Sequence, residues 1–560
     1  MTIRFALAAV VSLLSVSTAS MGQAVPPAVK AAEASIDGEK IRAHVKFLAD
    51  DLLEGRGPGL RGSELAAKYI ETQFALYGLK PGGDNGTYLQ QVNFVGMKVI
   101  GDKTTMSLVP KRPEGQMAIT LYSIDLKYGD DYTVSNRTLT PSVDIDAPIV
   151  FVGYGVVAPE FGWNDYAGVD VKGKVVMCIV GDPPSDDPKF FGGKALTYYG
   201  RWTYKFEEAA RQGAVGALII HRTDLASYGW DVVRNSNTSE KTYLRDDKAP
   251  QLEAASWIQL DVAKQIFKSS NMDLDAEFAA AGKKGFKAVE LPVRLHAHVE
   301  SVVRPFQSPN VVGILLGTNG GGKDQAVMYT AHFDHLGFVP GMAGDNVYNG
   351  AADNATGCGM LLEMARAWTQ GGLKPPHSVI FAAVTAEEQG LLGSEYLGQH
   401  PPVPAGQIAV DINYDMILPI GVPKQVNVNG AQRTTFYPAV EATAKRFGLE
   451  IVQDPRPEAG SYYRSDHFSL SRVGIPAFSI ETGHLYEGHD AAWGKKKHED
   501  FTAHDYHNFS DNYHEDWDFA GNAKLDQFGM ELGWEALSTP TMIQWNAGDE
   551  FEAARKASVH

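Results

Sequence analysis

Apolar residues recur at three- and four-residue spacing through IRAHVKFLADDLLEG (41–55) and SELAAKYIETQFALYGL (63–79). This spacing predicts two amphipathic helices, broken by the glycine-rich GRGPGLRG (55–62). Shorter strand-like runs fill roughly 88–135. A different unit is expected to begin near Asp146, where APIVFVGYGV (147–156) and KVVMCIVG (174–181) read as short buried strands. KFEEAARQGAVGALII (205–220) reads as a helix, a glycine and a strand, and PQLEAASWIQLDVAKQIF (250–267) continues the pattern. No cluster of His, Asp and Glu marks 146–290, so this stretch predicts a covering or binding module. From Ser308 strand runs alternate with helices. NVVGILLG (310–317), AVMYTAH (326–332), SVIFAAVTA (378–386), IAVDINYD (408–415) and PAFSIETG (476–483) are separated by CGMLLEMARAWTQG (358–371), GLLGSEYLGQH (390–400) and FYPAVEATAKRFGL (436–449). Such alternation predicts an α/β fold with a mainly parallel central sheet flanked by helices.

The 560 residues exceed what one core accommodates, so at least two folded units are expected. Arg4 followed by the apolar FALAAVVSLLSVSTA (5–19) reads as a signal peptide over 1–24, which predicts export to the periplasm or medium. No later segment holds ~18 continuous apolar residues, so no stable membrane insertion is expected. The formal net charge of −17 disfavours nucleic acid, which needs clustered Lys and Arg. Cys178 and Cys358 both sit in apolar runs; two buried thiols are expected, one disulfide being the alternative. GTNGGGK (317–323) lacks the GxxxxGK[ST] spacing of a phosphate loop and reads as a turn.

Ligands of open α/β sheets bind at the carboxyl ends of strands, and that is where the polar residues of this half fall. His332, Asp334 and His335 follow AVMYT; Glu387 and Glu388 follow SVIFAAVTA; Asp415 ends IAVDINY; Asp353 lies in the loop NGAADNATG. Imidazoles with one carboxylate able to bridge and further carboxylates suit a pair of divalent metals. Such a pair activates water for hydrolysis, and a spare carboxylate takes its proton. Adjacent Glu387 and Glu388 divide the roles of base and ligand, and Asp334 is placed to orient His332.

AHFDHLG (331–337), NGAADNATGCG (349–359), VTAEEQGLLGS (384–394), NYDM (413–416) and RSDHFSLSRVGIP (464–476), in this order, resemble the di-zinc aminopeptidase family related to glutamate carboxypeptidases and the transferrin receptor ectodomain. The opening LADDLLEGRGPGLRGSELAAKYIETQF and the closing QWNAGDEF (544–551) are similar to exported bacterial members. The resemblance implies two Zn2+ ions and peptide substrates. It implies His332 and Asp415 as ligands of one zinc, Asp334 as the orienting carboxylate, Asp353 as the bridge, Glu387 as general base and Glu388 as ligand of the second zinc. Tyr462 stands where some members polarise the scissile carbonyl. In DYHNFSDNYHEDWDFAG (505–521), aligning on Asp516-Trp517-Asp518-Phe519 makes His507, rather than His514, the last ligand, with Phe509 where the family usually has proline. YAGVDVKGKVVMCIVGDP (166–183) with AARQGAVGALII (209–220) resembles a protease-associated domain.

The expected organisation is therefore a signal peptide at 1–24, an N-terminal part of the catalytic domain at 36–145, an inserted β-rich α+β protease-associated module at 146–290 and the di-zinc peptidase domain at 296–560. His335, His467, His484, His489, His498 and His504 are expected to be hydrogen-bonding or surface residues. The function expected is that of an exported aminopeptidase. A carboxypeptidase or other amidohydrolase of the same family, with Arg464 the motif-proximal basic residue, and a non-catalytic receptor-like protein are the alternatives.

Overall fold

The structure is a computed structural model that describes residues 25–111, 123–226, 228–319 and 325–559. The expected signal peptide lies outside the described residues, as does most of the 317–323 turn.

The two N-terminal helices form as the apolar spacing predicts. Helix α1 (Gly38–Leu48) starts at Asp37, whose side chain accepts from the Glu39 N–H, and buries Ile41, His44, Val45 and Leu48. Helix α2 (Arg61–Tyr77) buries Ala66, Ala67, Ile70 and Phe74 and stops at Gly78, which is left-handed with φ 80°. The chain then supplies β1 (Leu89–Val99), β2 (Val289–Leu315), β3 (Ala326–His332), α3 (Thr356–Thr369), β4 (Val379–Val384), β5 (Ile408–Tyr414), β6 (Ala477–Thr482) and α4 (Ala520–Ser538).

The central sheet runs β1–β2–β4–β3–β5–β6. β4, β3, β5 and β6 are mutually parallel, whereas β1 pairs antiparallel with β2 and β2 antiparallel with β4. Four of the six strands are thus parallel, as expected, and β1 and β2 add an antiparallel edge. An apolar run carries no direction, and β2 enters beside β4, not beside its chain neighbour β3. Every residue of β3, β4 and β5 is buried, as strands covered on both faces must be. α1, α2, α3 and α4 contribute to one core cluster with Tyr329, Phe381 and Ile412. Val312, Met328, Ile380 and Leu470 form the core of the opposite face.

A second sheet orders 124–126, 105–110, the first half of β2, 142–151, 175–179, 216–220, 254–258 and 132–135. β2 serves both sheets: Val289 to Glu300 pairs with 142–151, and Ser301 to Val311 pairs with β1. The second sheet thus begins near Thr105, earlier than the Asp146 start expected. Lys241–Leu244, inside the stretch assigned to the module, pairs with β1 of the central sheet. Short apolar strands of the two sheets look alike in sequence, so pairing alone separates them. Among the described residues no helix is long and apolar enough to cross a membrane.

Candidate metal centre

The adjacent carboxyl ends of β4, β3 and β5 create the site. His332 is the last residue of β3, Asp415 directly follows β5, and Glu387 and Glu388 lie three and four residues past β4. The loop before α3 brings Asp353, and a loop after the helix Ala491–His504 brings His507.

Two donor groups share one carboxylate. His332 Nε2 lies 3.3 Å from Asp353 Oδ1 and 3.2 Å from Asp415 Oδ1. His507 Nε2 lies 3.3 Å from Asp353 Oδ2 and 2.9 Å from Glu388 Oε2. Two atoms each ~2.1 Å from a tetrahedral zinc are about 3.4 Å apart, so the Asp353 separations have the spacing of ligands around a cation. Each oxygen of Asp353 faces a different group, which is the geometry a bridging carboxylate needs.

The electrostatics of the cluster suit a cation. Burial lowers the affinity of His507 for a proton, but its hydrogen bonds to Asp353 and Glu388 outweigh this and raise its pKa to about 10. His332 moves the same way: burial opposes the shift, and Asp415, Glu387 and Asp353 overcome it. Protonated, these imidazoles would offset the charge of the carboxylates around them. A cation bound between them would take over that role and need both rings neutral. Glu387 is pushed well above the usual carboxylate range by burial and by Glu388, Asp415 and Asp466, an environment that favours the protonated form of a base.

Supporting contacts fix the donors. The carboxylate of Asp334 accepts the Glu387 N–H at 3.1 Å and lies 3.8 Å from His332 Nδ1. The Asp334 carbonyl is nearer that nitrogen, at 3.3 Å, so residue 334 can orient the ring through both groups. Ser465 Oγ donates to Asp415 Oδ2 at 2.5 Å and accepts from Asn413 Nδ2 at 2.7 Å. The Cys358 thiol donates to the His332 carbonyl at 3.1 Å; burial holds its pKa up at about 12, so it keeps its proton. Cys358 and Cys178 are both buried and free.

Four placements differ from the sequence reading or go beyond it. His335, expected to be a hydrogen-bonding or surface residue rather than a ligand, is buried with Nδ1 2.6 Å from Glu388 Oε1. With Asp353 and Glu388 it forms a donor set that could hold an ion, and the shared strand end of β3 carries both histidines inward. Tyr462 is not brought to the cluster. Its hydroxyl lies 2.6 Å from Ser471 Oγ and donates to the Ala477 carbonyl at 3.2 Å, and its ring packs on His467 and under Arg433. Core packing holds this side chain. Tyr506, which the motif reading passed over, stacks on His507 at 3.9 Å, and burial together with Asp353, Glu388, Glu387 and Asp415 holds its hydroxyl proton firmly. Asp511 also went unassigned, although the Ser-Asp after the first Tyr-His marked it: its two oxygens accept the N–H groups of Ala352 and Asp353. Arg464 is exposed, and its Nε donates to the Ala459 carbonyl.

Curated relatives are similar to parts of this chain. Leupeptin-inactivating enzyme 1 of Streptomyces exfoliatus is 28% identical over 37% of this chain and 45% of its own length. A probable leucine aminopeptidase 2 of Aspergillus oryzae is 25% identical over 69% of this chain and 66% of its own. The match thus spans less than half of the Streptomyces enzyme and about two thirds of the Aspergillus one. Among solved structures, the aminopeptidase from Aneurinibacillus sp. strain AM-1 is 18% identical, with 92% of this chain and 97% of that one covered at a TM-score of 0.47. Residues 310–526, which hold His332, Asp353, Glu387, Glu388, Asp415 and His507, match the model of Peptidase family M28.

Proposed function

We propose that the chain is a two-zinc aminopeptidase that removes N-terminal residues from peptides. One observation carries the reading: the two oxygens of Asp353 divide between His332 with Asp415 and His507 with Glu388. In this reading His332, Asp353 and Asp415 hold one ion, and Asp353, Glu388 and His507 hold the other. The ions, when bound, polarise the scissile carbonyl and lower the pKa of water. Glu387, half-buried beside both groups, accepts the proton of the attacking water and returns it to the leaving amine. Asp334 holds His332 through its Nδ1 side and leaves Nε2 free for metal. The names of the relatives, a leucine aminopeptidase among them, support an aminopeptidase over a receptor. The second sheet is proposed as a protease-associated module covering the peptidase unit, and residues 1–24 as the export signal.

The test is hydrolysis of a panel of aminoacyl p-nitroanilides, with zinc counted per chain before and after treatment with a chelator. Two zinc ions per chain and activity lost with the metal are expected. Cleavage of C-terminal residues only, or activity unchanged in metal-free protein, would refute the reading.

A further inference from the structure

The loop between α1 and α2 contains a buried cation that the catalytic roles above leave unused. Arg56 is 1% exposed, and its four hydrogen bonds go to backbone carbonyl oxygens. Nε donates to Phe333 at 2.6 Å, Nη1 to Asn349 at 2.6 Å and also to Leu48, and Nη2 to Gly350 at 2.9 Å. The Arg56 carbonyl in turn accepts the His335 N–H at 3.4 Å. Two of these segments carry the donor cluster. Phe333 stands between His332 and Asp334, and Asn349-Gly350 opens the loop that ends in Asp353. One planar guanidinium therefore spans the loops that deliver the two residues whose contact defines the first donor group.

The chain accepts unfavourable local structure to place it there. Glu54, Gly55 and Arg56 are all left-handed, with φ of 49°, 63° and 51°. A side chain disfavours this region. A Cβ at Gly55 would lie 2.1 Å from the Gly337 carbonyl oxygen and 2.5 Å from that of Tyr348, so only glycine lets the loop enter between those backbones. A buried guanidinium bonded only to carbonyls has no carboxylate hydrogen-bonded to it to cancel its charge; the carboxylates whose charges act on it are Asp511, Asp334 and Asp353. Lysine cannot reproduce this role, because its ammonium is a point charge without the planar fork.

We infer that Arg56 is a positioning residue of the metal centre: it fixes the His332–His335 turn against the Asn349–Asp353 loop and supplies a fixed positive charge beside the donor carboxylates. The inference rests on the zinc reading proposed above. Loss of a group that orients metal ligands typically costs 10–100-fold in metal affinity or activity.

The test compares full-length Arg56→Lys and Arg56→Met with the wild type. Zinc affinity is measured by competition with a chromophoric chelator, kcat and KM on leucine p-nitroanilide, and thermal unfolding on the metal-free proteins. Both variants are expected to unfold cooperatively, to bind zinc 10–100-fold more weakly and to lose kcat at least 10-fold with KM changed less than threefold. Arg56→Lys should be the milder. Wild-type zinc affinity and kcat in a variant that is only less heat-stable would make Arg56 a packing residue and overturn the inference. Failure of both variants to fold would do the same. A wild-type protein that binds no zinc would instead overturn the function proposed for the site.

Discussion

Asp511 Oδ2 accepts the backbone N–H of Asp353 at 3.1 Å. Asp511 Oδ1 takes the N–H of Ala352 at 2.9 Å, and its carbonyl takes that of Ala351 at 3.1 Å. Three successive N–H groups of the loop that carries the proposed bridging ligand thus converge on one buried residue. Asp511→Asn would turn one accepting oxygen into a donor facing an N–H, a buried mismatch of ~1–3 kcal/mol. The variant is expected to bind zinc at least tenfold more weakly while keeping its secondary structure, as read by chelator competition and circular dichroism. Unchanged zinc affinity would mean that the loop holds its shape without Asp511.

The adjacent glutamates should separate by readout. Glu388 Oε2 faces His507 and its Oε1 faces His335, whereas Glu387 is tied through its backbone N–H to Asp334 and leaves its carboxyl for proton transfer. Glu387→Gln should retain zinc and lose ~10²–10⁴-fold in kcat, the usual yield of general base catalysis. Glu388→Gln should lose one zinc per chain. Equal zinc loss in the two variants would show that the roles are divided wrongly.

Stability should carry a histidine signature away from the site. His44 lies inside α1 with Nδ1 2.8 Å from the Tyr69 hydroxyl. Burial, with a smaller contribution from Arg366, holds its pKa down at about 4. A histidine depressed in the folded state contributes stability that is whole above the unfolded pKa of ~6.5 and is lost as pH falls toward 4, because only the unfolded chain takes up the proton. The expected loss is about 1.4 kcal/mol per pH unit below 6.5, or roughly 2 kcal/mol at pH 5. Urea titrations of wild type and His44→Gln at pH 7 and pH 5 isolate it. The wild type should lose that much more than the variant; an equal change in both would show that His44 is protonated in the folded state.

What the sequence makes legible here follows strand ends. Glu387, Glu388 and Asp415 each follow a buried apolar run, and His332 closes one. Placing them together requires only that the ends lie side by side, as β4, β3 and β5 do. Arg56 was hidden because it acts through backbone carbonyls, which have no sequence signature, and GRGPG reads simply as a break between helices. His335 was hidden because nothing local distinguishes an inward-turning histidine from an exposed one. Tyr462 sits beside the RSDH motif in sequence, but the 3-10 turn Ser461–Arg464 directs its ring into the core. The boundary between the two sheets is not legible in sequence for a related reason: β2 is one continuous strand that serves both.

The two Tyr-His pairs give the sharpest test. His507 adopts a left-handed backbone, φ 57°, which a residue other than glycine disfavours and which here turns its imidazole onto Asp353 and Glu388. The hydrogen bonds of the neighbouring residues hold the turn: Asn508 N–H reaches the Asp505 carbonyl, and Ser510 Oγ and Asn508 Nδ2 donate to the His504 carbonyl. His514 comes seven residues later, exposed, with its ring 5.6 Å from Trp517. A continuous helix would have returned both histidines to one face, but the chain between them runs through turns and irregular backbone. His507→Ala is therefore expected to lose one zinc per chain and nearly all activity, and His514→Ala to change each less than twofold. Zinc counted by atomic absorption alongside leucine p-nitroanilide hydrolysis decides it. Loss of zinc on replacing His514, with His507→Ala still fully loaded, would move the second metal away from Asp353 and Glu388 and dissolve the shared-carboxylate arrangement on which the proposed mechanism stands.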